Sequence, residues 1–158
     1  MNNEKKQEFT ARITSANRSE LVVILYDMIH TYIEDAEKFF ANNEKESCVE
    51  ELKKARECVK ELIFALDMKY EISSQLSKLY LFANRSLTKC IFKYDEELLQ
   101  SVKRIMDKLG EGFREVARED NSPVLMANAQ EIYAGLTYGK TSLNENLADE
   151  GASRGFFV

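Results

Sequence analysis

Tryptophan is absent from this chain, proline occurs once, and glycine occurs six times in 158 residues. A β-sandwich needs turn residues at short, regular intervals, so the scarcity excludes that class and favours helices. Histidine occurs once, at His30, which leaves an HExxH pair or a multi-histidine zinc site without ligands. Cys48, Cys58 and Cys90 are odd in number and lack CxxC spacing. They read as buried thiols in a reducing compartment, not as a disulfide framework or a metal knuckle. The net charge is −5 with no long block of one sign, which argues against nucleic acid or an anionic membrane as the main partner. No stretch approaches the ~20 apolar residues of a membrane span. The opening MNNEKKQEF places no apolar run behind its basic residues. A cytoplasmic protein without membrane insertion is expected, and the length suits one domain.

What is present is helical periodicity. A first helix is expected over about Arg18 to Ala41, because Asn17 is a good N-cap and Glu20, three residues on, can reach back to it. Leu21, Leu25, Met28, Tyr32, Ala36 and Phe39 recur at one-face spacing, while Val22, Ile24, Ile29, Ile33 and Phe40 widen the stripe beyond a single contact. The helix stops at Asn42-Asn43. A second, about Glu46 to Leu66, sets Cys48, Leu52, Ala55, Val59, Leu62 and Leu66 opposite a charged, solvated face. A third, about Glu71 to Lys93, points Ile72, Leu76, Leu79, Ala83, Leu87, Cys90 and Tyr94 inward. A fourth, about Asp95 to Arg118, does so with Leu98, Val102, Ile105, Met106, Leu109, Phe113 and Val116.

Each helix spans roughly 30 Å or more at about 1.5 Å per residue, and the joins are only a few residues long. Short joins force antiparallel neighbours. The expected fold is therefore all-α, an antiparallel up-down four-helix bundle. Ser122 and Pro123 open a short fifth helix with Val124, Leu125, Ala129, Ile132 and Tyr133 on its apolar side, and an extended C-terminal tail follows. Residues 1–16 are expected as a flexible N-terminal arm, 17–135 as the bundle, and 136–158 as the extension.

The residues offer little chemistry. Gly135-Leu136-Thr137-Tyr138-Gly139-Lys140-Thr141 lacks the glycine spacing of a phosphate loop and follows a helix instead of a strand. A di-metal carboxylate bundle draws on inward glutamates and Glu-x-x-His pairs. The chain has no such pair, and Glu37, Glu61, Glu71 and Glu111 fall outside the apolar stripes. No catalytic residue, cofactor or metal is expected, which leaves binding. Val22, Val23 and Ile33 fall off the main stripe of the first helix, and Phe82 and Ile91 off that of the third. In the arm, Phe9 and Ile13 are spaced to dock on a helix groove. Exposed apolar positions on neighbouring helices suit a helix-in-groove site, and they equally suit a satellite cluster covered by the fifth helix or the tail.

The run Ser15-Ala16-Asn17-Arg18-Ser19-Glu20-Leu21, followed by Leu25-Tyr26-Asp27, resembles the Thr-Ala-Ser-Pro-x-x-Leu…Leu-Tyr-Asp opening of the FliS family of flagellar export chaperones. Lys54-Ala55 and Leu62-Ile63-Phe64-Ala65-Leu66-Asp67 are similar to the end of that family's second helix. Ser73, Leu76, Leu79 and Tyr80 are similar to the start of its third, and Asp95, Leu98 and Phe113-Arg114-Glu115 to its fourth. The resemblance spans about residues 9 to 120. Arg18 stands where the family usually has proline, Val116 where tryptophan is common, and the chain continues beyond Asn121, where short members stop.

The resemblance implies a non-enzymatic chaperone that binds the C-terminal segment of flagellin in the cytoplasm. It would prevent premature polymerisation and aid type III export, as a monomer or weak homodimer, with other flagellar export components as further partners. Flagellin would then contact Phe9, Ile13, Val22, Val23, Ile33, Phe82 and Ile91, with the arm as a cover that the client displaces. The tail, with Leu143, Leu147 and an Arg154-Gly155-Phe156-Phe157-Val158 end, is expected to dock on the bundle or in a neighbour's groove until the client arrives. The alternative from another class is a non-catalytic scaffold or homo-oligomerisation module with no flagellin client.

Overall fold

The computed structural model describes residues 1–125, which form five helices and no strand. They are α1 (Asn3–Ser15), α2 (Arg18–Ala41), α3 (Lys45–Phe64), α4 (Glu71–Phe92) and α5 (Glu96–Glu119). The extension 136–158, and all but the first residues of the short helix expected from Ser122, lie outside the described residues.

The local chemistry explains the boundaries. Asn17 Oδ1 accepts from the Glu20 N–H and Glu20 Oε2 accepts from the Asn17 N–H, both at 2.9 Å, so a reciprocal capping box starts α2. At its other end Asn43 takes φ 62°, a left-handed conformation that asparagine tolerates, and the Glu44 N–H turns back to the Phe39 carbonyl at 2.9 Å. Asp95 Oδ1 caps α5 by accepting from the Leu98 N–H at 3.0 Å.

The expected flexible arm is instead helix α1. Asn2 caps it by accepting from the Lys5 N–H at 2.8 Å, and Phe9 is buried against Ala16 and Ile24, with Ile13 beside it. Phe9 and Ile13 stand four apart, so forming the helix is what puts both on one docking face.

Helix α2 is the hub. It packs on α3 and α5, and α1 lies on it as well; α3 packs on α4, and within α2–α5 the α4–α5 pair is the least closely packed of the neighbours. Links at Asp27–Arg114, His30–Asp107 and Glu37–Gln100 run in opposite chain order, so α2 and α5 are antiparallel. Ile29, Ile33 and Ala36 of α2, Leu52, Ala55 and Val59 of α3, Ala83 and Leu87 of α4, and Leu99 and Val102 of α5 are fully buried. Each large side chain among them contributes about 1.5–3 kcal/mol of burial.

Two expectations about α2 and α4–α5 change. Val23 and Ile33 are buried, Ile33 at 0% exposure, where they were expected as surplus surface. Three helices touch α2, so almost its whole circumference is interior. Conversely Ile72 and Val116, expected inward, are 60% and 53% exposed. Ile72 is the second residue of α4 and Val116 sits in the last turn of α5, where the neighbouring helices run out.

Candidate functional site

The seam between α2 and α5 is closed by charge. Asp27 accepts from Arg12 of α1 and Arg114 of α5, each at 2.6 Å. One turn on, His30 lies between Asp107 Oδ1 at 2.7 Å and Glu34 Oε1 at 3.1 Å. Glu37 accepts from Gln100 at 2.7 Å, and Lys103 approaches Glu34 at 3.5 Å and Glu37 at 3.6 Å. Burial works to raise the Glu34 carboxyl, but the charge and hydrogen bond of His30, then those of Lys103, outweigh it and hold it below its ordinary value. His30 thus sits in a ladder of hydrogen bonds and ion pairs that ties two helices together.

Inside the bundle, Tyr26 and Tyr80 share a hydrogen bond between their hydroxyls, which satisfies both where water is excluded. Burial pushes the Cys58 thiol up to about 12, with Glu61 and Glu57 adding to the effect, and burial raises Cys48 and Cys90 as well. Thiols held protonated in this way are packing groups, not nucleophiles.

Apolar surface is concentrated elsewhere. At the corner between α3 and α4, Phe64, Met68 and Tyr70 are exposed, Phe64 by 80%, and Ile72 continues the patch onto α4. Beside them a cleft of about 280 Å³ is lined by Val22, Tyr70, Ile72, Tyr80 and Phe113, with Arg18 at its rim. A second cleft, of about 460 Å³, lies where α4 meets α5 and is lined by Phe82, Arg85, Lys89 and Leu98. On α4, Ile72, Leu79 and Phe82 follow one another at spacings of seven and three. On α5, Leu98, Ile105, Leu109 and Val116 follow at seven, four and seven, so each set keeps to one edge of its helix. Leu79, Leu98, Ile105 and Leu109 are only half-buried, and Phe82 is 41% exposed. Phe82 and Leu98 line one cleft, so the two edges come together there, at the loosest seam within α2–α5.

The seven residues expected to contact a client do not form one patch. Phe9 is buried and Ile13 half-buried under α1, on a strip of α2 made by Leu21, Ile24 and Met28. Val23 is in the floor of a groove of about 370 Å³ between α1, α2 and α5, beside Arg12, Arg114 and Arg118. Val22 lines the corner cleft, and Ile33 is in the core. Phe82 lines the α4–α5 cleft, whereas Ile91, nine residues on and so about half a turn around α4, packs half-buried against the core. Sequence reasoning missed the α5 edge. Its signal was present in Leu98, Leu99, Val102, Ile105, Met106 and Leu109, too wide a stripe for one interior face.

A family model described as FliS, flagellar protein FliS, matches residues 1–120 of the chain. No curated protein matches it. No helix among the described residues is long and apolar enough to cross a membrane.

Proposed function

The chain belongs to the FliS family of flagellar export chaperones, and on that premise we propose that it holds the C-terminal segment of flagellin in the cytoplasm until export. The observation that carries the reading is the α4–α5 seam, where Phe82 and Leu98 line a cleft of about 460 Å³ and half-buried and exposed apolar side chains follow one edge of each helix. An amphipathic helix laid into such a groove buries its apolar face without chemistry or nucleotide. The scaffold that presents it is an antiparallel up-and-down four-helix bundle of α2–α5.

A second strip, Leu21, Ile24 and Met28 of α2, is occupied by α1 through Phe9 and Ile13. A client that wraps around the bundle gains this strip by displacing α1, so α1 acts as a cover. Holding the client's terminal segment in this way keeps it from pairing with other subunits before assembly.

The test uses the purified chain and the C-terminal segment of flagellin. A 1:1 complex is expected by native mass measurement, and Phe82→Asp should weaken it at least tenfold with the helical circular dichroism unchanged. Binding that survives Phe82→Asp removes the groove from the reading. A chain that only self-associates, with no flagellin complex, favours a scaffold.

A further inference from the structure

Four large apolar side chains crowd the turn between α3 and α4. Phe64, Met68, Tyr70 and Ile72 are each exposed by 60% or more. Tyr70 and Ile72 also line the cleft of about 280 Å³, together with Val22, Leu66 and Phe113. A single exposed apolar residue is ordinary, but a group of this size beside an apolar cleft marks a surface that something covers.

The antiparallel helices bring the start of α2, the end of α3, the start of α4 and the end of α5 to one end of the bundle. Arg18 donates to the Ala65 carbonyl at 3.2 Å there. The chain that follows α5 stays at the same end. Asp120 accepts from the Ser19 hydroxyl through its carboxylate and from the Asn17 side chain through its carbonyl, the latter at 2.9 Å, and the Leu125 N–H reaches the Ala16 carbonyl at 3.0 Å. Arg18 and Ser19 line the cleft, so the residues after Leu125 set out from close to its rim. In that stretch, which lies outside the described residues, Met126, Ala129 and Tyr133 recur at spacings of three and four with Ile132 beside them, the pattern of one apolar helix face.

We propose that the cleft and the patch around it are the seat of residues 126–135 of the same chain, with Ile132 and Tyr133 as the side chains that fill it. The covalent link favours this occupant. Joined directly at Leu125, the segment meets the seat at a roughly millimolar effective concentration, which a second copy of the chain at low concentration does not match. Once seated, it takes Tyr70 and Ile72 out of water. The inference concerns the free chain and does not rest on the flagellin reading.

The experiment compares the full natural chain with two full-length variants, Tyr70→Asp and the double change Ile132→Asp with Tyr133→Asp. Tyr70 is the N-cap of α4 and makes no capping hydrogen bond with its side chain, so an aspartate there can cap the helix while it puts a charge in the seat. Amide hydrogen exchange is read at low micromolar concentration. A segment of this length is too short to protect its amides as an isolated helix, so protection of residues 126–135 reports docking. Those amides are expected to exchange at least tenfold more slowly than in a free peptide of the same sequence, and to lose that protection in both variants while α2–α5 keep theirs. Hydroxyl-radical labelling of Met68 and Tyr70 should rise at least threefold in the double variant. The proposal is overturned if residues 126–135 exchange at the peptide rate in the natural chain, or if their protection survives Tyr70→Asp. Protection that vanishes on dilution, with a dimer in native mass measurement, overturns it in favour of a second copy. Should Tyr70→Asp fail to fold, the radical labelling decides, since equal labelling of the natural chain and the double variant leaves the seat uncovered.

Discussion

Replacing Phe9 with alanine separates a cover from a binding element. Phe9 is 6% exposed, and its ring lies on Ala16 and Ile24 with the Arg12 guanidinium 5.4 Å from the ring centroid. In a rigid core the change would cost about 3–5 kcal/mol. Here the loss is limited, because α1 can leave α2 without opening the α2–α5 core. The burial of one phenylalanine, about 2–3 kcal/mol, then becomes a shift of about 30- to 150-fold in the docking equilibrium. Two measurements follow. Exchange of the α1 amides should accelerate while the urea midpoint of the bundle moves little. A client that must displace α1 binds with an affinity reduced by the fraction of chains already open, so Phe9→Ala should tighten flagellin binding, up to the factor by which α1 had closed the site. Deleting residues 1–12 should do the same. Unchanged α1 exchange would refute the packing argument, and a weaker flagellin complex would show that Phe9 belongs to the site itself.

Ile33→Ala, in the fully buried centre of α2, should lower the unfolding free energy by about 2–5 kcal/mol in a urea titration, the range for a large aliphatic core truncation. Gly112→Ala should raise it by up to about 1 kcal/mol, because a Cβ there meets nothing within 4 Å and an exposed helix interior favours alanine. Asp120 is held at about 2 by hydrogen bonds from Ser122 and then Ser19, below its ordinary 3.8. A depressed carboxyl stabilises the fold above its ordinary value and ceases to do so as pH falls from about 4 to about 2. The gap in urea midpoint between the natural sequence and Asp120→Asn should accordingly be open at pH 5 and closed near pH 2; a gap constant over that range would count against the assignment.

Much of the fold was legible because caps and periodicity agree locally. Asn17 with Glu20 fixes the start of α2 at Arg18 and Asn42-Asn43 its end at Ala41, and the stripe Cys48, Leu52, Ala55, Val59 and Leu62 is the buried face of α3. The N-terminal helix escaped because Asn3–Ser15 carries few apolar residues, and only contact with α2 turns Phe9 and Ile13 into a face. The candidate site was the harder part. Period assigns residues to a face of their own helix but not to a neighbour, so Val23 and Ile33 read as surplus although α2 has neighbours on three sides. Leu98, Ile105 and Leu109 read as interior, and they do pack against the core, but only half-buried, a degree that period does not report. Phe82 was placed on the surface because it lies apart from the run Leu76, Ala83, Leu87 and Cys90 that α4 turns inward.

The ladder of hydrogen bonds and ion pairs between α2 and α5 also works as a key. Its links join Asp27 to Arg114, His30 to Asp107, Glu34 to Lys103 and Glu37 to Gln100. Sliding α5 along α2 by about one turn in one direction brings Asp107 level with Glu34, and in the other level with Asp27, so either slip sets two carboxylates face to face. Apolar packing alone tolerates a slide of one turn, because Leu, Ile and Val repeat with that period. The charges do not, and they favour the observed position of α5 along α2. The far edge of the same helix, Leu98 to Val116, is thereby biased towards one height, and any helix that lies against it meets apolar side chains in a preferred register.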